Sequence, residues 1–140
     1  MDSAELIEKL VFWIRDKVLA GGCRGAILGM SGGVDSALVA VLCQRAFPQG
    51  ALGVLMPCHS DPQDAEHALL VAKKFAIPTK TVVLDDIYDR LLQILPKMST
   101  DPAASRLARA NLKVRLRMVT LYYLANQLKY MVVGSSNQSE

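Results

Sequence analysis

The chain has 140 residues, 51% hydrophobic and 21% charged, the balance of a folded globular domain and not of a disordered segment. That length predicts one domain over 1–140 with a single core, and no apolar run approaches the roughly 18 residues of a membrane span. The formal net charge of +3 is too small to imply nucleic-acid binding by itself. The opening Met1-Asp2-Ser3-Ala4-Glu5 carries acid where a secretory signal needs lysine or arginine, so the expectation is a cytoplasmic protein. Cys23, Cys43 and Cys58 form no C-x-x-C pair; they read as reduced thiols and not as a disulfide framework or a thiolate zinc site. His59 and His67 fit no metal-binding spacing and read as surface or loop residues.

Along the chain, Leu6, Ile7, Leu10, Val11, Ile14, Val18 and Leu19 recur at helical spacing, predicting an amphipathic helix over 4–19 that stops at Gly21-Gly22. Short apolar runs at 25–30, 51–56, 81–84 and 130–133 are continuous and not alternating, as strands buried on both faces require. Between them the pattern predicts helices at 36–46, 62–76, 86–97 and 104–128, with breakers at Pro48, Gly50, Pro78 and Ser99–Pro102. Alternation of strand and helix implies an α/β doubly wound parallel sheet with helices on both faces. Ligands in such sheets sit beyond the carboxyl ends of the strands, where strand order reverses. The places to search are therefore the residues just after 30, 57, 85 and 134.

Gly29-Met30-Ser31-Gly32-Gly33-Val34-Asp35-Ser36 lies between the first strand and a helix. Gly32 and Gly33 permit backbone conformations and close approach that a Cβ blocks. Successive amides can then converge on an anion, helped by the positive end of the helix. Ser31 and Ser36 add hydroxyls, while Asp35 makes sense beside a phosphate if Mg²⁺ lies between them. The plainer alternative is a tight turn with Asp35 or Ser36 as helix N-cap. The segment is neither a Walker-type Gly-Lys loop nor a G-x-G-x-x-G fingerprint.

Between 97 and 129 the basic residues Lys97, Arg106, Arg109, Lys113, Arg115, Arg117 and Lys129 face one acid, Asp101. At about 100° per residue, Arg106, Arg109, Lys113 and Arg117 share a stripe, expected to be a solvated or partner-facing surface. Arg115 points nearly the opposite way, near Asn111, Met118 and Tyr122; it either snorkels past the core or meets an anionic ligand. Gly134 through Glu140 follow the fourth apolar run. If that strand neighbours the first, Ser135 and Glu140 come beside the glycine loop, where Asp35 and Glu140 can share one magnesium ion.

Ser31-Gly32-Gly33-Val34-Asp35-Ser36 resembles the S-G-G-x-D-S pyrophosphate loop of the N-type ATP pyrophosphatases, and the fold this implies is similar to the adenine-nucleotide hydrolase-like fold. Those enzymes cut ATP between its α and β phosphates, adenylylate an oxygen of the substrate, and let a nitrogen or sulfur nucleophile displace AMP. Asn111-Leu112-Lys113-Val114-Arg115-Leu116-Arg117-Met118, Leu121-Tyr122 and Gly134–Glu140 resemble the NAD synthetase branch, as does Met56-Pro57 near that family's adenine pocket. The resemblance spans nearly the whole chain. It implies that residues 29–36 and Ser135 bind ATP, that Asp35 and Ser36 are catalytic, that Asp35 and Glu140 hold Mg²⁺, and that Asn111 and Arg115 contact deamido-NAD. It implies a homodimer that amidates deamido-NAD with ammonia. Members of that family continue further, through loops that carry a lysine and an aspartate for the ligands, so the resemblance implies a chain lacking the C-terminal portion. The rival expectations are a tRNA-modifying or sulfur-transfer ligase, whose phosphate backbone the basic stripe would track, and a non-catalytic ATP-binding fragment.

Overall fold

Asp2, Asp61 and Asp101 each stand one residue ahead of a helix and accept a first-turn N–H on the side chain, from Glu5, Gln63 and Ala103 respectively. Pro62 and Pro102 follow two of these caps, where a missing N–H costs nothing. The structure is a computed structural model and describes residues 2–134. In chain order the elements are α1 (Ser3–Ala20), β1 (Gly25–Gly29), α2 (Val34–Ala46), β2 (Ala51–Leu55), α3 (Pro62–Lys74), β3 (Thr79–Thr81), α4 (Asp85–Ile94), α5 (Pro102–Leu128) and β4 (Tyr130–Val132). Ser135 and Glu140 lie outside the described residues.

The strands form one parallel sheet in the order β3-β2-β1-β4. The chain steps outward from β1 to β2 to β3, then crosses back through α5 to pair β4 on the other side of β1. Gly25 lies opposite Tyr130, and Ala26 opposite both Ala51 and Met131. The reversal of strand order therefore falls between β1 and β4, at whose carboxyl ends the ligand site of a doubly wound sheet belongs.

Strand alternation divides the interior in two. Ala26, Leu28 and Met30 point to one face and pack with Ile14 and Val18 of α1, Ala40 and Cys43 of α2, and Ala68 and Ala72 of α3. Ile27, Val54 and Met56 point to the other, against Leu84, Tyr88, Leu121 and Ala125 beneath α4 and α5. The expected α/β doubly wound sheet with helices on both faces is thus the observed architecture. Among the described residues no helix is long and apolar enough to cross a membrane.

Of the boundaries that differ from the sequence pattern, three have a physical reason that bears on the site. β3 covers Thr79–Thr81 and not 81–84, because β2 ends at Leu55. Val82 and Leu84 instead donate to the carbonyls of Leu55 and Pro57, so their apolarity marks burial over the sheet's edge and not ladder pairing. α4 stops at Ile94 because Leu95 precedes Pro96 and is extended, φ −79° and ψ 138°. α2 begins at Val34, two residues earlier than the helical pattern, with consequences for the site.

The Cys43 thiol is wholly buried, and burial pushes its pKa from 9.0 up to about 12. A raised folded-state value stabilises the fold fully below pH 9 and loses that contribution as pH rises toward 12. Denaturant titrations are expected to show the midpoint falling across that window, and Cys43→Ala to make the fall shallower. Equal slopes for both proteins would contradict the assignment.

Candidate functional site

The carboxyl end of β1 opens into the glycine loop. Gly32 has φ +86°, and a Cβ there would lie 2.5 Å from the Asp64 carbonyl oxygen at the start of α3, so both conformation and space require glycine. Gly33 differs from expectation: its φ is −81°, and a Cβ would meet only the Ser31 Oγ at 3.7 Å. The loop's backbone does not need glycine at 33, and a Cβ there would stand in open space. Gly33 is the N-cap of α2, and no side chain bonds the first-turn amides. The alternative of Asp35 or Ser36 as cap does not hold, because both already lie inside the first turn. Ser36 Oγ instead accepts the Ser31 N–H at 3.1 Å, bracing the loop across its mouth while keeping its own proton to donate. Asp35 is exposed in the same turn. The orphan amides and positive end of a 13-residue helix therefore face outward uncapped.

They face a cavity of about 1260 Å³ lined by the loop, by residues 55–62 after β2, by α5 and by Gly134, a volume sufficient for a nucleotide. The loop after β2 is tied down from two sides. His59 adopts a left-handed φ of 52°. Its backbone N–H donates to Asp85 Oδ1 at 2.9 Å, and its ring Nε2 lies 2.7 Å from Asp89 Oδ1. From α5, Arg117 Nε donates to the Met56 carbonyl at 3.0 Å and a terminal nitrogen to Ser60 Oγ at 3.3 Å. Cys58 is buried in this wall. Burial raises its thiol pKa, Arg117 and Lys113 pull it down, and Asp85 and Asp89 add to the rise. The structure thus gives Cys58 a packing role and His59 a tethering role.

The basic stripe does not behave as one surface. Lys113 and Arg117 are half-buried and line the cavity, whereas Arg106 and Arg109 are exposed. The solvated reading fails for Lys113 and Arg117 because α5 packs against β1 and β4, from where the Arg117 side chain reaches the Met56 carbonyl just past β2. Asn111 and Arg115 are exposed on α5 and, among the described residues, do not line this cavity. Gly29, Met30, Ser31, Gly33, Val34, Asp35 and Ser36 all do. Among the described residues no group of three or more His, Cys, Asp or Glu side chains is arranged to hold a metal.

The NAD synthase family model matches residues 6–140. The chain belongs to the NAD synthase family. An NH₃-dependent NAD⁺ synthetase from Carboxydothermus hydrogenoformans is 46% identical over 136 residues, covering 97% of this chain and 56% of that protein. The solved NH₃-dependent NAD synthetase of Campylobacter jejuni, in complex with the nitrate ion, superposes with a TM-score of 0.87 at 32% identity, covering all of this chain and 59% of that one. A solved NMN synthetase from Francisella tularensis gives 0.86 at 27% identity, covering 98% and 56%. The chain spans little more than half the length of these NAD synthase family relatives.

The two loop glycines separate fold from ligand. Gly32→Ala is expected to destabilise the protein by more than about 1 kcal/mol, from left-handed strain and the clash at Asp64. Gly33→Ala is expected to leave the thermal midpoint within about 2 °C while weakening binding of inorganic pyrophosphate, an anion suited to the uncapped start of α2, measured by calorimetry. Undiminished pyrophosphate binding by Gly33→Ala would remove the anion from that space.

Proposed function

We propose that this chain carries the ATP-handling site of an ammonia-dependent NAD synthetase, converting ATP, deamido-NAD and ammonia to NAD, AMP and pyrophosphate. The observation that carries the proposal is the uncapped start of α2, opened by Gly32 beyond β1 and facing a cavity at the strand-order reversal. The nicotinate carboxylate attacks the α phosphorus and pyrophosphate leaves. Ammonia then attacks the resulting acyl-adenylate, and AMP departs with the carbon–oxygen bond's electron pair. The loop amides and the Ser36 hydroxyl receive charge developing on the departing pyrophosphate, and no covalent enzyme intermediate is needed.

The exposed Asp35 carboxylate suits Mg²⁺, which prefers one or two carboxylates with phosphate and water oxygens completing the shell. Bound there, the ion would neutralise phosphate charge. Gly134 lines the cavity, which supports the next residue, Ser135, as an ATP contact; Glu140 is proposed as the second magnesium carboxylate on the NAD synthetase resemblance of Gly134–Glu140. Asn111 and Arg115 lie outside this chain's own cavity, and we assign them to deamido-NAD bound near an interface between two copies. Apolar side chains left exposed on α1 and α5, among them Phe12, Trp13, Val119 and Tyr123, support a homodimer of that kind. The enzyme so read works in the cytoplasm on ammonia supplied from solution or by another protein.

The test is formation of AMP and pyrophosphate in equal amounts, dependent on both deamido-NAD and ammonia, with nicotinate mononucleotide as the competing acceptor. Asp35→Asn is expected to lower turnover by about 100-fold without a change in thermal midpoint. AMP formation that ignores deamido-NAD, or undiminished turnover in Asp35→Asn, would overturn the reading.

A further inference from the structure

The cavity is asymmetric in charge. Asp35, Asp61, Asp64 and Glu66 stand on the side of α2 and α3, while Lys113 and Arg117 stand on α5. Neither cation has an ion-pair partner among the described residues, where the recorded pairs are both made by His59. A guanidinium carries five N–H donors in a fixed fork. Arg117 directs two at Met56 and Ser60 and has no other acceptor among the described residues. Lys113 holds its ammonium 5.3 Å from the centre of the Tyr88 ring and makes no hydrogen bond to the described protein. Drawing two cations partly out of water without an anion is unfavourable, and both are poised where an anionic ligand would relieve it.

We propose that Lys113 and Arg117 form a cationic wall that binds phosphate oxygens of the nucleotide, and of the pyrophosphate it releases, from the side facing the glycine loop. This rests on the ligase reading above and adds to it a second wall, built on a different helix. The loop amides grip the phosphates through backbone dipoles. Lys113 and Arg117 grip them through full charges, and the bonds of Arg117 to Met56 and Ser60 fix its fork before the ligand arrives. Because that tether also holds the loop after β2, Arg117 joins the phosphate subsite to the wall beneath it. Lys113 has no such tether and acts by charge alone.

The proposal is tested by calorimetry on the full chain with magnesium present, using inorganic pyrophosphate and adenosine as separate probes. Arg117→Gln and Lys113→Gln are each expected to weaken pyrophosphate binding about tenfold, the scale of one charge-assisted hydrogen bond. Lys113→Gln is expected to leave adenosine binding within about twofold, and Arg117→Gln, which also releases the Met56 carbonyl, to weaken adenosine binding less than pyrophosphate binding. Unchanged pyrophosphate affinity in both variants overturns the proposal, as does failure of the unaltered chain to bind pyrophosphate at millimolar concentration. Equal losses for both probes would reduce Arg117 to a structural tether and overturn its part. Lys113→Gln, which breaks no hydrogen bond to the described protein, decides the matter if Arg117→Gln does not fold. Deamido-NAD-dependent pyrophosphate release by the unaltered chain is read separately, so a failed ligase reading is distinguishable from a failed cationic wall.

Discussion

A helix that starts without a cap, at the mouth of a cavity, leaves several amide protons and the positive end of its dipole unanswered. In this protein α1, α3 and α5 each begin under an aspartate. α2 begins under Gly33 and α4 under Leu84, with no side chain over either, and of the two it is the start of α2 that lines the cavity. A side-chain cap is worth about 1 kcal/mol, so forgoing one is a cost that an incoming anion would offset. Much of the molecule is arranged around that opening: Gly32 is pressed against Asp64 to turn the chain, Ser36 braces Ser31, and the sheet reverses its order beside it.

The rest of the structure holds the opening rigid. β1 is the central strand of the reversal, paired on both sides and packed on both faces, with Ala26, Ile27 and Leu28 essentially inaccessible. A loop that follows such a strand inherits its position. The opposing wall is fixed by different means, through His59 between two aspartates of α4 and through Arg117 of α5. The aspartates at 85 and 89 are one helical turn apart, which brings both carboxylates to the same imidazole. A site built on rigid elements keeps its geometry when the ligand's charge changes during reaction.

How much of this was legible depends on whether the signal was local. The glycine loop and the alternation of buried strands with helices are written in consecutive residues and match the structure, whereas Pro102, read as a breaker, is the first residue of α5 under the Asp101 cap. The face of α5 was not legible. Helical periodicity correctly set Arg115 and Arg117 on different sides, but it contains nothing about which side meets the sheet. That depends on the crossover from α4 back to β4, and it turned Arg117 into the cavity. The same limit applied to β3, where apolar Val82 is half-buried and Leu84 buried beyond the end of the partner strand. Gly32 and Gly33 were inseparable for another reason: adjacent glycines look alike in sequence, and only the backbone shows that Gly32 has a positive φ and Gly33 does not. For His59, the spacing of Asp85 and Asp89 was the available signal, and it gains meaning only once the loop after β2 is known to lie against α4.

The central claim is that the first turn of α2 receives the leaving phosphates of ATP. A crystal structure of the chain with magnesium and a non-hydrolysable ATP analogue tests it most directly. The account predicts β and γ phosphate oxygens within about 3 Å of the backbone nitrogens of residues 33–36. Phosphates bound at the opposite ends of the strands, or elsewhere on the surface while that turn stays in water, would contradict it.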